Sequence, residues 1–340
     1  MKKAIILFNL GGPDNLSAVE PFLFNLFNDP AIINLPKFLR YPLAKFISKR
    51  RAPIAKNIYA EIGGKSPILE ETQAQARAIE TSLENEKDEY KCFIVMRCWN
   101  PRATETIQDV KKYNPSQIIL LPLYPQFSNA TSGSSIGEWL DICKQEKLKT
   151  DTKIICCYPT EKDFILSYTG LIKKKINLKK LNDIILIFSA HGLPENKIKH
   201  GDPYQWQVEA SVKKLVEKIS IKNLNYILSY QSRVGQLKWI GPSTEDIIKK
   251  EAKKRKILII VPVAFVSEHS ETLVELDIEY RKLAEENGSK EYIRIPAVTV
   301  NKDFINSLKS TILKASSGEK FTSSIKCLEK FTKCPRLKNL

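Results

Sequence analysis

The sequence predicts an α/β protein of two Rossmann-like domains, each a doubly wound parallel four-stranded sheet flanked by helices, with a cleft between them. Three observations predict it. Apolar runs rich in Ile, Leu and Val alternate with longer helical stretches along the chain, as parallel βαβ units require. The two halves echo each other. Ile5-Ile6-Leu7-Phe8-Asn9-Leu10-Gly11-Gly12-Pro13 is repeated in kind by Ile185-Leu186-Ile187-Phe188-Ser189-Ala190-His191-Gly192-Leu193-Pro194, and Ile118-Ile119-Leu120-Leu121-Pro122 by Leu258-Ile259-Ile260-Val261-Pro262. A chain of 340 residues, 43% of them hydrophobic, is long enough for two ordinary domains with their own cores.

Taken in order, Met1-Lys2-Lys3 ahead of Ala4-Ile5-Ile6-Leu7-Phe8 begins like a secretory signal. Asn9 to Asp14 then cuts the apolar run short and offers no small-residue cleavage site, so residues 3–9 read as the first strand. The other strands of the first half fall near 91–96, 117–122 and 153–158. Those of the second half fall near 183–189, 225–230, 257–262 and 291–295. Matched prolines locate an insertion. Pro101 and Pro242 are 141 residues apart and Pro122 and Pro262 are 140 apart, but Pro13 and Pro194 are 181 apart. The first half therefore holds 40 extra residues within 13–90. They include Pro21-Phe22-Leu23-Phe24-Asn25-Leu26-Phe27 and the stretch 38–51, apolar and aromatic with a basic edge. Such a segment suits a lid over an apolar anionic ligand or a membrane-facing lip, and equally an ordinary packed helical hairpin. The domains are expected at 1–160 and 161–315, followed by a polar, lysine-rich and loosely ordered tail over 316–340.

Composition removes several classes. No run of about 18 apolar residues exists, so no transmembrane helix is expected. The net charge of +16 comes from dispersed lysines without an aromatic-interleaved basic motif, which argues against nucleic acid and leaves an anionic substrate or membrane surface. Seven cysteines form no paired spacing, and Cys156-Cys157 are adjacent within a strand, as suits a reducing cytoplasm. Gly11-Gly12-Pro13 lacks the dinucleotide spacing, and no phosphate-loop motif occurs.

The candidate chemistry gathers after the strands of the second half. Past the strand 257–261, Ser267 is placed to cap a helix on which Glu271, Glu275 and Glu279 recur at four-residue spacing. Like charges at that spacing oppose each other by about 0.2–0.5 kcal/mol per pair, so something positive should face them. A solvated face paired with lysines is the plain reading. The position beyond the carboxyl end of a buried strand, where open α/β sheets bind ligands, favours a site. Of three histidines, His191 ends a strand ahead of Gly192 and Pro194, and can accept protons or bind a divalent metal with nearby carboxylates. His269 reads equally as its partner or as a core side chain, and His200 as loop structure.

At this point a resemblance is specific. Ser189-Ala190-His191-Gly192-Leu193-Pro194, Gly201-Asp202-Pro203-Tyr204, Tyr230-Gln231-Ser232-Arg233-Val234-Gly235, Trp239-Ile240-Gly241-Pro242 and residues 261–280 resemble the ferrochelatase family. So do Asn9-Leu10-Gly11-Gly12-Pro13, Arg50-Arg51-Ala52-Pro53, Ile62-Gly63-Gly64-Lys65-Ser66-Pro67 and Tyr124-Pro125-Gln126-Phe127-Ser128, in family order over residues 1–310. The resemblance implies the class II chelatase fold and insertion of iron(II) into protoporphyrin IX to give protoheme, the last step of heme biosynthesis. It implies His191 as catalytic base, with Glu271 beside it at the metal, and Glu275, Asp277 and Glu279 continuing an acidic path. It implies porphyrin contacts from Arg51, Tyr59, Ser66, Arg97, Tyr124, Ser232 and Trp239. Some relatives carry an iron–sulfur cluster. Here Asn129 fills the earlier cysteine slot, and the tail offers only Cys327 and Cys334 where four thiolates are usual, so no cluster and no tightly bound cofactor is expected. Iron(II) is a substrate. The expected protein is a cytoplasmic monomer or weak homodimer, with a peripheral contact at the inner face of the membrane left open. A carrier that binds metal or tetrapyrrole without turnover would use the same residues.

Overall fold

The computed structural model describes every residue except Leu178, Val234, Gln236 and 338–340. One residue of the Tyr230–Gly235 motif, Val234, and the last three of the tail therefore lie outside the described residues. The chain divides into two compact units: Met1–Cys157 with Leu308–Ser323, and Tyr158–Ser307 with the segment from Ser324 onward.

The first unit carries a parallel sheet of β1 (Lys2–Asn9), β2 (Glu89–Met96), β3 (Gln117–Pro122) and β4 (Asp151–Cys157), in the order β2-β1-β3-β4. Its helices are α1 (Val19–Phe27), α2 (Lys37–Ala60), α3 (Ile68–Leu83), α4 (Ala103–Tyr113) and α5 (Ser134–Gln145). Residues 4–8 of β1 are all fully buried. Ala4, Ile6 and Phe8 face one cluster with Val110 of α4 and Trp139 of α5, where Phe8 meets Trp139 edge-on at 6.2 Å. Ile5 and Leu7 leave on the opposite face, and a strand covered on both faces reads as a continuous apolar run.

In the second unit, α6 (Lys162–Ile176) precedes β5 (Ile184–His191). There follow α7 (Glu195–Lys199), α8 (Tyr204–Ile219), β6 (Tyr226–Gln231), α9 (Thr244–Ala252) and β7 (Ile257–Pro262). A π-helix, Glu271–Glu279, then runs into α10 (Tyr280–Glu286), β8 (Glu291–Arg294) and α11 (Lys302–Ser317), whose residues from Leu308 on belong to the first unit. The parallel order is β6-β5-β7-β8. The strand before β6 in the chain and the strand before β7 in the sheet are both β5, so the chain turns to opposite sides at the β5/β7 boundary. Ligands bind at the carboxyl ends of strands at such a switch point.

The structure corrects three expectations. The first sheet has five strands, because β9 (Phe321–Ser323) pairs parallel to β4. Three residues are too few to show a period, and pairing against an existing edge supplies what the sequence pattern lacks. The described part of the tail is also folded: Cys327, Phe331 and Cys334 are buried together, with Trp206 packed on them. Those apolar positions are scattered among lysines, which hides them in composition. Finally, the helix after β7 starts at Glu271, not at Ser267, and its turns are π rather than α. Within 13–90 the structure places α1 and α2 ahead of α3, three helices between β1 and β2 where α7 and α8 stand between β5 and β6. Helix α2 buries a narrow stripe of Ala44, Ser48, Ala52 and Tyr59 and leaves Phe38, Phe46 and Ile54 64–75% exposed.

Candidate active site

β5 and β7 are hydrogen-bonded neighbours with Ser189 opposite Pro262, so their carboxyl ends emerge side by side. His191 is the last residue of β5, and the segment after β7 brings Glu271 and His269 back toward it. His191 Nε2 lies 3.6 Å from Glu271 Oε2, and His269 Nε2 lies 3.8 Å from the same oxygen. The turn after His191 needs Gly192. A Cβ there would stand 2.8 Å from the Gln231 carbonyl and 3.2 Å from the Trp239 ring. Two hydrogen bonds hold the histidine. Tyr204 donates to its carbonyl at 3.1 Å, and its Nδ1 lies 2.6 Å from the Gly192 carbonyl. A carbonyl only accepts, so Nδ1 carries the proton and Nε2 presents a lone pair toward Glu271.

Burial alone would raise the Glu271 carboxyl, but His191 and His269 outweigh it and hold it at about 2. Its Oε2 and His269 Nδ1 are buried polar atoms without a hydrogen-bond partner. Such atoms are costly to leave unsatisfied. Among the described residues, no three His, Cys, Asp or Glu side chains are grouped so as to hold an ion.

Glu275 has a different environment. Ser232 donates to it through both N and Oγ, Tyr280 through its hydroxyl at 2.9 Å, and Gln231 through Nε2 at 3.2 Å. Ser232 adopts a left-handed φ of 60°, uncommon for a non-glycine residue; that conformation aims its N–H and hydroxyl at one carboxylate. Burial first, and then the charge of Glu271, push the Glu275 carboxyl above its ordinary range despite these donors. Glu275 is thus a held acid beside the site.

The acids that follow Glu271 meet different surroundings. Asp277 pairs with Arg281 at 2.5 Å and Arg294 at 3.1 Å, and Glu279 faces solvent. Asp277 thus carries two guanidinium partners. Trp239 is half-buried beside Gly192, with its indole N–H unpartnered.

The remaining expected residues belong to the first unit. Arg97 is consumed locally: its guanidinium meets Asp29 at 3.0 Å, Glu138 at 3.1 Å and Ser134 Oγ at 2.7 Å. A carboxylate ligand at Arg97 would have to displace one of these. Ser66 is buried against Gly12, where a Cβ would come within 2.5 Å of its hydroxyl. Tyr59 is 6% exposed in an apolar cluster. Tyr124 keeps part of its ring accessible while its hydroxyl is shielded, and burial raises the phenol above its ordinary range. Arg51 is half-buried, stacked 5.8 Å over the Phe27 ring. Sequence reasoning missed Gln231 and Tyr204. Both were inside quoted motifs, and a glutamine closing a buried strand was the available signal for the first.

A family model described as ferrochelatase matches residues 2–316. The chain is 62% identical over 343 residues to "Ferrochelatase" of Pelagibacter ubique, covering 99% of both chains. It is 51% identical over 343 residues to "Ferrochelatase" of Rickettsia felis, covering 98% of both. Among solved structures, SirB from Bacillus subtilis with Fe3+ matches with a TM-score of 0.52 at 11% identity, over 93% of this chain and 96% of that one. At that identity the likeness speaks for the fold alone, two Rossmann-like units.

Proposed function

The chain belongs to the ferrochelatase family, and from that premise we propose how its own residues carry out the reaction. The activity is that of a metal chelatase of heme synthesis, with iron and a porphyrin as substrates. Insertion removes two pyrrole N–H protons, leaves their electron pairs on nitrogen, and bonds the nitrogens to iron(II) without a change of oxidation state.

The observation that carries the reading is the His191–Glu271 pair. With Nδ1–H spent on the Gly192 carbonyl, Nε2 is the atom that takes a pyrrole proton. The His191 side chain is 41% exposed, so it can pass that proton to water before the second transfer. Glu271, an ionised carboxylate beside His191, steadies the incoming cation as it loses water. Glu275 stays anchored to Ser232 and Tyr280 and gives the site a second carboxylate close behind the first.

Protoporphyrin IX is the porphyrin we assign. An apolar macrocycle with two carboxylates suits α2, whose exposed apolar face is accompanied by seven Lys or Arg and no acid. The same helix would lie against an anionic bilayer surface. No described helix is long and apolar enough to cross one. The protein works without an iron–sulfur cluster in this proposal, because Asn129 is no ligand and Cys327 and Cys334 are buried against Phe331.

The test is steady-state iron(II) insertion by Glu271→Gln across an iron titration. Loss of turnover at saturating iron is expected, since a charge at the reacting centre has been removed. Turnover equal to the parent would rule the pair out. Comparing protoporphyrin with coproporphyrin in the same assay checks the substrate, with protoporphyrin expected to be preferred.

A further inference from the structure

Arg294, the last residue of β8, holds carboxylates on both sides of Glu271. Its Nη1 lies 2.8 and 3.1 Å from the two oxygens of Glu268, and its Nε lies 3.1 Å from Asp277 Oδ2. Glu268 stands three residues before Glu271, and Asp277 six residues after it. The guanidinium is 10% exposed and Glu268 14%. Each anchor is reinforced by a further contact. Glu268 also accepts from the Ala297 N–H at 2.9 Å. Asp277 also pairs with Arg281, which donates to the Tyr292 carbonyl at 3.0 Å, and the Tyr292 hydroxyl donates to the Leu276 carbonyl. The π-helix is therefore tied to β8 at both ends, while Glu271 and Glu275 occupy the span between.

We propose that Arg294 is a positioning residue for iron insertion: by gripping Glu268 and Asp277 together it sets how far Glu271 stands from His191. The proposal rests on the reading of His191 and Glu271 as the iron-handling pair. π-turns are rare and concentrate at functional sites, and a nine-residue run of them has to be held from outside. A planar fork can bridge two carboxylates at once, whereas a lysine presents a single point charge. Two arginines against two acids leave the cluster neutral, so its role is geometric and does not compete with Glu271 for a cation.

The experiment uses the full chain with iron(II) and porphyrin each titrated against a saturating level of the other. Arg294→Gln strands two buried carboxylates and can fail to fold. Asp277→Asn keeps the Arg294–Glu268 contact and gives up the second anchor together with the Asp277–Arg281 pair. Its side chain is 31% exposed, so it decides the matter if Arg294→Gln is lost, with Arg281→Gln, which leaves both Arg294 contacts in place, as a control expected to match the parent. In either folded variant the apparent KM for iron(II) should rise about tenfold while that for porphyrin stays within about twofold, with Arg294→Lys recovering part of the loss. An unchanged iron KM in Asp277→Asn, or both KM values rising together as in general loosening, would overturn the proposal. If Glu271→Gln also turns over like the parent, the pair itself is wrong. If Glu271→Gln is impaired and Asp277→Asn is not, the clamp alone falls.

Discussion

One hydrogen bond sets the His191 ring: the Gly192 carbonyl claims Nδ1–H and leaves Nε2 open toward Glu271, as the proposed role of proton acceptor requires. The two neighbouring glutamates then differ in sign, which gives a measurable contrast. Glu271 is depressed to about 2, so its favourable contacts exist above its ordinary value and are lost as the pH falls toward about 2. Glu275 is raised, so its ionisation costs the folded state stability as the pH climbs above its ordinary value. Glu275→Gln should therefore gain melting temperature relative to the parent between about pH 4 and pH 8, measured by thermal unfolding across that range. Glu271→Gln should melt lower than the parent above about pH 4.5, with the deficit closing below it. Parallel pH profiles for the two variants would contradict both assignments. At this scale the nearness of His191 to Glu271 was legible, because a histidine closing a buried strand before Gly and Pro has few places to point. It could not separate Glu275 from Asp277, because their partners, Ser232 and Arg294, lie 43 and 17 positions away.

Strand ends were legible within a residue or two, because strands covered on both faces must be apolar throughout. The helix after β7 was legible as helical but not as π. That choice is made by tertiary anchors on Glu268 and Asp277, and local propensity carries no trace of them. Helix α2 makes the element-scale prediction. Its exposed Phe38 and Phe46 contribute little to folding, so replacing both with Ser should leave the melting temperature within about 1–2 °C, while binding to anionic vesicles or to porphyrin weakens. A large fall in melting temperature would show instead that the face is packed, as an ordinary hairpin would be.

The whole chain is two parallel units whose likeness the repeated motifs predicted, with the insertion placed by three proline offsets. The crossings at the end escaped notice. Residues 308–323 belong with the first unit and the segment after them with the second, an arrangement no local pattern encodes. Removing residues 318–340 deletes β9, bares the β4 edge, and takes away the cluster of Cys327, Phe331 and Cys334. The shortened chain should melt several degrees lower and aggregate more readily, whereas a loose tail would leave both unchanged.

The most direct test of the account is turnover by His191→Ala at saturating iron(II) and porphyrin, with folding checked by thermal melting and porphyrin binding checked by titration. The account predicts a folded, porphyrin-binding protein whose insertion rate has fallen by about a hundredfold or more, the usual effect of removing a positioned base. A rate close to the parent's would contradict it and place the proton acceptor elsewhere.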